Sequence, residues 1–211
     1  MIKPIVWQSA SLLLNYPGPG WARTVPLVTD ALGRVTGPAA DAVRRFVRQT
    51  RDVEPLEPQA RYVATFDRSR RRTLYMTYYT DGDTRSRGAS LAALKARYRS
   101  AGWAPEEAEL PDFLPVMLEF AARCPAAGGE LLAEHRAGLE LLRRGLHDHG
   151  SSYALLVDAV RATLPAPGRA ERRAVRSAAR TGPPAETVGL DGAPEVPAFG
   201  DPIAAAEGAR R

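Results

Sequence analysis

The sequence predicts an all-α protein, a single globular domain of seven to nine helices. Apolar residues recur at spacings of three and four from the start of the chain to about Leu164. Clusters of proline and glycine separate the first of these stripes. No stretch alternates apolar and polar residues between hairpin turns, as a half-buried strand would.

The first stripe is Ile2, Ile5, Ser9, Leu12, Leu13 and Tyr16, ended by Pro17-Gly18-Pro19-Gly20. Val25, Val28, Ala31, Leu32 and Val35 form the second, closed by Thr36-Gly37-Pro38. Ala39, Val43, Phe46, Val47 and Thr50 form the third, and Pro55 and Pro58 flank the link to residues 59–66. Tyr75, Tyr78 and Tyr79 stand at i, i+3 and i+4, so on a helix they share one face. Asp81-Gly82-Asp83 breaks that helix, and Ser86 is placed to cap the next, marked by Leu91, Leu94 and Tyr98 and stopped at Gly102. Asp112, between Pro111 and Pro115, reads as the N-cap of a helix carrying Leu114, Met117 and Leu118. Leu132, His135, Leu139, Leu142 and Leu146 read as one continuous stripe, and Tyr153, Leu156, Val157, Val160 and Leu164 as the last. Residues 1–165 are therefore expected to form the folded domain. Residues 166–211, rich in Ala, Pro, Gly and Arg with one aromatic residue, are expected to be a disordered tail with transient helix over 169–180.

Composition narrows the function. With 211 residues, 45% apolar and 25% charged, the chain is an ordinary globular one. No apolar run reaches the roughly 18 residues a membrane span requires, and the N-terminal stretch makes a poor signal peptide. With a lone cysteine, Cys124, the expectation is a cytoplasmic protein without stable membrane insertion. The net charge of +5 comes almost wholly from arginine, since Lys3 and Lys95 are the only lysines. The dense run Arg68, Arg70, Arg71, Arg72 would spread around a helix beside Asp67, which fits a solvated face better than a nucleic-acid patch.

Catalytic signatures are missing. His147 and His149 lie two apart and diverge on a helix, and no paired-cysteine or His-Glu-x-x-His motif accompanies them. His135 sits on an apolar stripe, where a hydrogen-bonded core histidine is the simpler reading and a ligand-sensing role the sharper one. Cys124 has no histidine motif beside it, and the glycines of Pro17–Gly20 lack the setting of a phosphate cradle. Glu106 and Glu107 are adjacent and fit the first turn of a helix after Pro105. The sequence therefore predicts no enzyme, no metal site and no permanently bound cofactor.

The most informative stretch is Leu74–Gly88, LYMTYYTDGDTRSRG. Clustered tyrosines provide broad contact area at low rotamer entropy, with hydroxyls able to pair with a peptide backbone. Asp81 and Asp83 suit a basic partner residue, Arg85 and Arg87 an acidic one. An amphipathic helix could lay its apolar anchors against Tyr75, Tyr79, Leu114, Leu118 and Phe120. The same residues equally suit a core with a capped turn, and the pattern alone does not decide between the two.

Together with EPLEPQARYVATFD (Glu54–Asp67) and ELPDFLPVMLEF (Glu109–Phe120), this stretch resembles the delta subunit of respiratory nitrate reductases, the NarJ-type molybdenum cofactor assembly chaperones. The match runs over roughly Tyr62–Leu142 and its uncommon words come in the family's order; the opening IVWQSASLLLNYP fits as well. The resemblance implies a helical redox-enzyme maturation chaperone. Such a protein binds the N-terminal peptide of the nitrate reductase catalytic (alpha) subunit and, by extension, the alpha–beta subcomplex. It assists molybdenum cofactor insertion and stays outside the finished enzyme. The resemblance favours a peptide groove, with Tyr75, Tyr78, Tyr79, Asp83, Arg85, Arg87, Pro111, Asp112, Leu114, Leu118, Glu119, Phe120 and His135 as its candidate residues. A chaperone for another molybdoenzyme, a generic helical interaction module and a basic nucleic-acid-associated protein are the alternatives.

Overall fold

A computed structural model describes residues 2–51, 57–105 and 109–181. Among the described residues the fold is helical throughout, with eleven α-helices, nine of them ten residues or longer, and no strand beyond one isolated bridge. The chain builds around α1 (Ile2–Leu14), whose Val6, Trp7, Ala10, Leu13 and Leu14 follow the helical period and are buried. This helix packs on α7 (Leu114–Arg123) and α10 (Ala154–Thr163), and also touches α2 (Trp21–Leu32) and α3 (Pro38–Arg51). Two buried polar contacts fix its register. Trp7 Nε1 donates to Thr163 Oγ1 at 2.8 Å, and Ser11 Oγ donates to Pro115 O at 2.8 Å.

The other helices dress this centre. Helix α3 packs on α10, and α4 (Glu57–Tyr62) runs on through a π-helical turn, Val63–Asp67, into the 3-10 turn Arg70–Arg72. Next come the short α5 (Tyr78–Asp81) and then α6 (Ser86–Ser100). Helix α8 (Pro125–Glu134) crosses α7 so closely that a Cβ on Gly128 would stand 2.2 Å from Ala121 Cα. Helix α9 (Arg136–Asp148) lies against α10 and α5. Arg97 of α6 reaches Glu134 of α8 at 2.5 Å, pinning the edge of the bundle.

Several sequence expectations change. Helix α2 buries only Val28 and Leu32, so the expected stripe is narrow. The leucine stripe around His135 is two helices, not one, because the chain turns at His135 between α8 and α9. The arginine run occupies a 3-10 turn rather than a helix, and Arg72 Nε donates to Thr65 O at 2.6 Å. Over the stretch expected to be transiently helical, α11 (Arg169–Thr181) forms and contacts α9. Pro55, the Glu106–Glu107 pair and residues 182–211 lie outside the described residues.

Candidate functional site

Tyr75 does not share a helix face with Tyr78 and Tyr79. The backbone of Leu74–Met76 leaves the helical path and pairs antiparallel with Asp112–Leu114 through an isolated bridge between Tyr75 and Phe113. Met76 N donates to Asp112 O at 2.9 Å and Leu114 N to Leu74 O at 2.8 Å, which satisfies one backbone group outside any helix and one at the start of α7. Helix α5 begins only at Tyr78 and ends at Asp81, capped by Gly82, whose φ of 61° and ψ of −148° suit glycine alone.

Asp112 locks this pairing from within. It is not the helix cap its sequence setting suggests; Phe113 is at that position, and Asp112 is 0% exposed. Its Oδ2 accepts from Thr77 Oγ1 at 2.5 Å and from Arg87 Nη2 at 3.2 Å, while Arg87 Nε donates to Thr77 Oγ1 at 3.1 Å. Oδ1 of Asp112 is buried without a partner. Arg87 also stands over the Tyr75 ring, 5.6 Å from its centroid. The carboxylate, the guanidinium and the hydroxyl thus tie the start of α6 to both bridged segments.

The outer side of the pairing opens into a cleft of about 380 Å³. Tyr75 and Phe113, with ring centroids 5.3 Å apart, line it on one side. Tyr62 and the 54% exposed Tyr16, in edge-to-face contact at 5.4 Å, also line it. Asp67, at the end of the π-helical turn, and Glu109 also line it, with Asn15, Phe66, Thr73 and Leu74, and among the described residues no lysine or arginine takes part. Burial raises the hydroxyl pKa of Tyr62, as do the nearby Tyr153, Asp67, Tyr75 and Glu109. Burial also raises that of Tyr75, with Glu109 and Asp112 adding to the effect and Arg87 opposing it.

The remaining candidate residues divide between scaffold and surface. Tyr79 is 5% exposed, and its hydroxyl donates to Thr73 O at 3.0 Å and lies 3.2 Å from Arg71 O. Leu114, Leu118 and Phe120 are fully buried, so they offer no anchor to a partner in this conformation. Helix α7 is covered by α1 and α8, and Phe120 packs on Tyr98 and Trp103 as well. Pro111 is buried and its carbonyl accepts from Tyr98 Oη at 2.6 Å. Asp83 pairs on the surface with Arg70 at 2.7 Å, and Glu119 with Arg123 at 3.3 Å. Arg85 precedes α6, whose first residue is Ser86, and no side-chain cap bond is made there. Tyr78 is half-buried against Tyr79. His135 borders a separate cavity of about 210 Å³ beside Thr77 and Arg97; its Nδ1 lies 3.0 Å from Leu131 O, so that nitrogen carries the ring proton.

Tyr16, Tyr62, Thr77, Asp67 and Glu109 were not among the sequence candidates. Asp67 and Glu109 sit at the ends of the two motif words, and Tyr16 near the end of the opening word IVWQSASLLLNYP, a signal that was available. Among the described residues no three His, Cys, Asp or Glu side chains are placed to hold a metal ion.

Comparison with known proteins places this arrangement in a family. The chain is 45% identical over 157 residues to the nitrate reductase-like protein NarX of Mycobacterium tuberculosis, covering 74% of this chain and 24% of NarX. It thus spans about a quarter of the length of that relative. It is 31% identical to a Bacillus subtilis protein described as a nitrate reductase molybdenum cofactor assembly chaperone, NarJ, over 77% of this chain and 89% of NarJ. The NarJ chaperone of Escherichia coli is 33% identical over 70% of this chain and 64% of its own. A crystal structure described as a redox enzyme maturation protein of Archaeoglobus fulgidus shares the fold, with a TM-score of 0.56, 21% identity, and coverage of 75% of this chain and 91% of that one. The family model of the nitrate reductase delta subunit matches residues 30–157, and the chain belongs to that family.

Proposed function

We propose that this protein is an assembly chaperone for a nitrate reductase. It holds the N-terminal peptide of the catalytic (alpha) subunit, keeps the subunit competent for molybdenum cofactor insertion in the cytoplasm, and leaves before the enzyme is complete. The protein itself contributes binding rather than catalysis and retains no cofactor. Family membership supports the class of client. The single observation that carries the reading is the open cleft lined by Tyr16, Tyr62, Tyr75 and Phe113, mounted on the rigid Asp112–Arg87–Thr77 lock. Aromatic walls around an open groove suit a peptide whose own apolar residues are otherwise exposed. No described helix is long and apolar enough to cross a membrane, so the protein would act on the client away from the bilayer core.

Titration calorimetry with a synthetic peptide from the N-terminus of the cognate catalytic subunit tests this. Binding with a dissociation constant in the micromolar range, about −8 kcal/mol, is expected. Absence of heat with folded protein across several pH values and temperatures would refute the reading.

A further inference from the structure

We propose that the cleft between Tyr16, Tyr62, Tyr75 and Phe113 is a subsite for one arginine side chain of the client peptide. Its guanidinium would stack on the tyrosine rings and face the carboxylates of Asp67 and Glu109. The identity of the partner rests on the client-binding reading above; the chemistry of the subsite rests on the cleft itself.

Three observations converge on a cation. The first is charge. In a chain with 29 basic residues, carboxylates such as Asp41, Asp83, Glu119, Glu134 and Glu140 stand within ion-pair distance of an arginine. Among the described residues Asp67 and Glu109 make no ion pair or hydrogen bond, and no lysine or arginine lines their cleft. The second is an unused hydrogen-bonding group. Tyr62 is 7% exposed, lines the cleft, and its hydroxyl has no hydrogen-bond partner among the described residues. Burial raises the Tyr62 and Tyr75 hydroxyl pKa, with Glu109 adding to the effect at both and Arg87 opposing it at Tyr75. The third is shape. Aromatic faces around a cavity of about 380 Å³ leave room for a flat side chain, and a ring quadrupole attracts a cation to its face. Arginine suits this better than lysine. Its guanidinium is planar, weakly hydrated and forked, so it can stack on a ring while donating to a carboxylate and to a hydroxyl at once.

The test uses Nα-acetyl-arginine methylamide and its neutral isostere, the citrulline derivative, titrated into the full chain with labelled tyrosines and followed by NMR. The arginine probe should shift the ring signals of Tyr16 and Tyr75 with a dissociation constant on the order of millimolar, and the citrulline probe should not. Asp67→Asn with Glu109→Gln should abolish the response; both side chains are exposed and unpaired, so the fold should survive. In the client peptide, one arginine-to-citrulline change should weaken binding about tenfold to the wild type and less than twofold to the double variant. Equal responses to the two probes, or a client peptide that binds both proteins alike, would overturn the subsite and leave the chaperone reading standing. A client peptide that fails to bind at all, with the arginine probe still selective, would overturn the chaperone reading and the assignment of the arginine to a client. If replacing Arg210 and Arg211 by Gln raises probe affinity severalfold, the occupant is this chain itself and a partner arginine is excluded.

Discussion

Replacing Arg87 by methionine should loosen the whole candidate site while leaving the helices in place. The substitution keeps the apolar stem but removes the guanidinium that lies 3.2 Å from Asp112 Oδ2 and 3.1 Å from Thr77 Oγ1. Asp112 is fully buried and one of its oxygens already lacks a partner, so the variant leaves a buried carboxylate without its counter-charge. Breaking a buried ion pair commonly costs about 3–5 kcal/mol. The Arg87 side chain is 22% exposed, which favours the lower end, and loss of its stacking on Tyr75 adds about 0.5–1 kcal/mol. A destabilisation of about 3 kcal/mol is expected, read as a urea midpoint lowered by about 1–2 M in a circular dichroism titration. Adding Asp112→Asn should then recover about 1 kcal/mol or more, because it removes the stranded charge while an amide oxygen still accepts from Thr77. The response to the arginine probe should weaken in the single variant, since Tyr75 and Phe113 are lined up by the same lock. A cost below about 1 kcal/mol, or a double variant less stable than the single, would refute the idea that Arg87 and Asp112 hold the two segments together.

Four further outcomes follow from particular contacts. Gly128→Ala should destabilise by about 1–3 kcal/mol in the same titration, since its Cβ would stand 2.2 Å from the Ala121 backbone where α7 and α8 cross. Tyr79→Phe should cost about 1 kcal/mol through lost bonding to the backbone of Arg71 and Thr73, whereas Tyr16→Ala should cost less stability yet diminish peptide binding measured by calorimetry. Burial raises the hydroxyl pKa of Tyr62, Tyr79, Tyr98 and Tyr153 above the ordinary 10.0. That contribution to stability is therefore complete below about pH 10 and is lost as pH rises above it, and Tyr153→Phe should flatten the alkaline fall in melting temperature. Removing residues 182–211 should leave the melting temperature unchanged, while removing 166–211 should lower it by only a few degrees, because α11 lies along α9 without a fully buried side chain among those described.

How much of this was legible in the sequence depends on how local its cause is. The periodic stripes of α1, α3 and α10 are produced by burial of one face, so spacing alone reveals them. The break at His135 is invisible to the same rule, because the residues on either side continue the three-and-four spacing while the chain turns. The tyrosine spacing misled for a related reason. Tyr75 has helical spacing to Tyr78, but the backbone of Leu74–Met76 finds its partners at Asp112–Leu114, roughly 37 positions away, and no window along the chain sees that pairing. Leu118 and Phe120 read as exposed anchors because an amphipathic helix normally has a free face. Helix α7 has little, being covered by α1, α8 and the Tyr98–Trp103 cluster.

The same non-local pairing explains why the cleft belongs where it is. A helix presents its backbone groups to itself, so a groove between helices offers a visitor side chains alone. The stretches 63–77 and 109–113 are different: a π turn, a 3-10 turn and a single bridge replace regular helix there. A π turn takes more residues per turn than an α-helix, which changes the direction of the side chains that follow and brings Phe66 into the core while Asp67 stays exposed. The buried carboxylate of Asp112 fixes the two irregular segments to each other at a cost in desolvation that apolar packing would have avoided. What that charge secures is position: only if Tyr75 and Phe113 stay paired do Asp67 and Glu109 border the same space as Tyr16 and Tyr62. Replacing the lock by a well-packed apolar set, Thr77→Val with Arg87→Met and Asp112→Leu, separates the two roles. If stability returns while selectivity for the arginine probe is lost, the lock serves geometry rather than folding; if both return together, the charges have no positioning role and the cleft is held by packing alone.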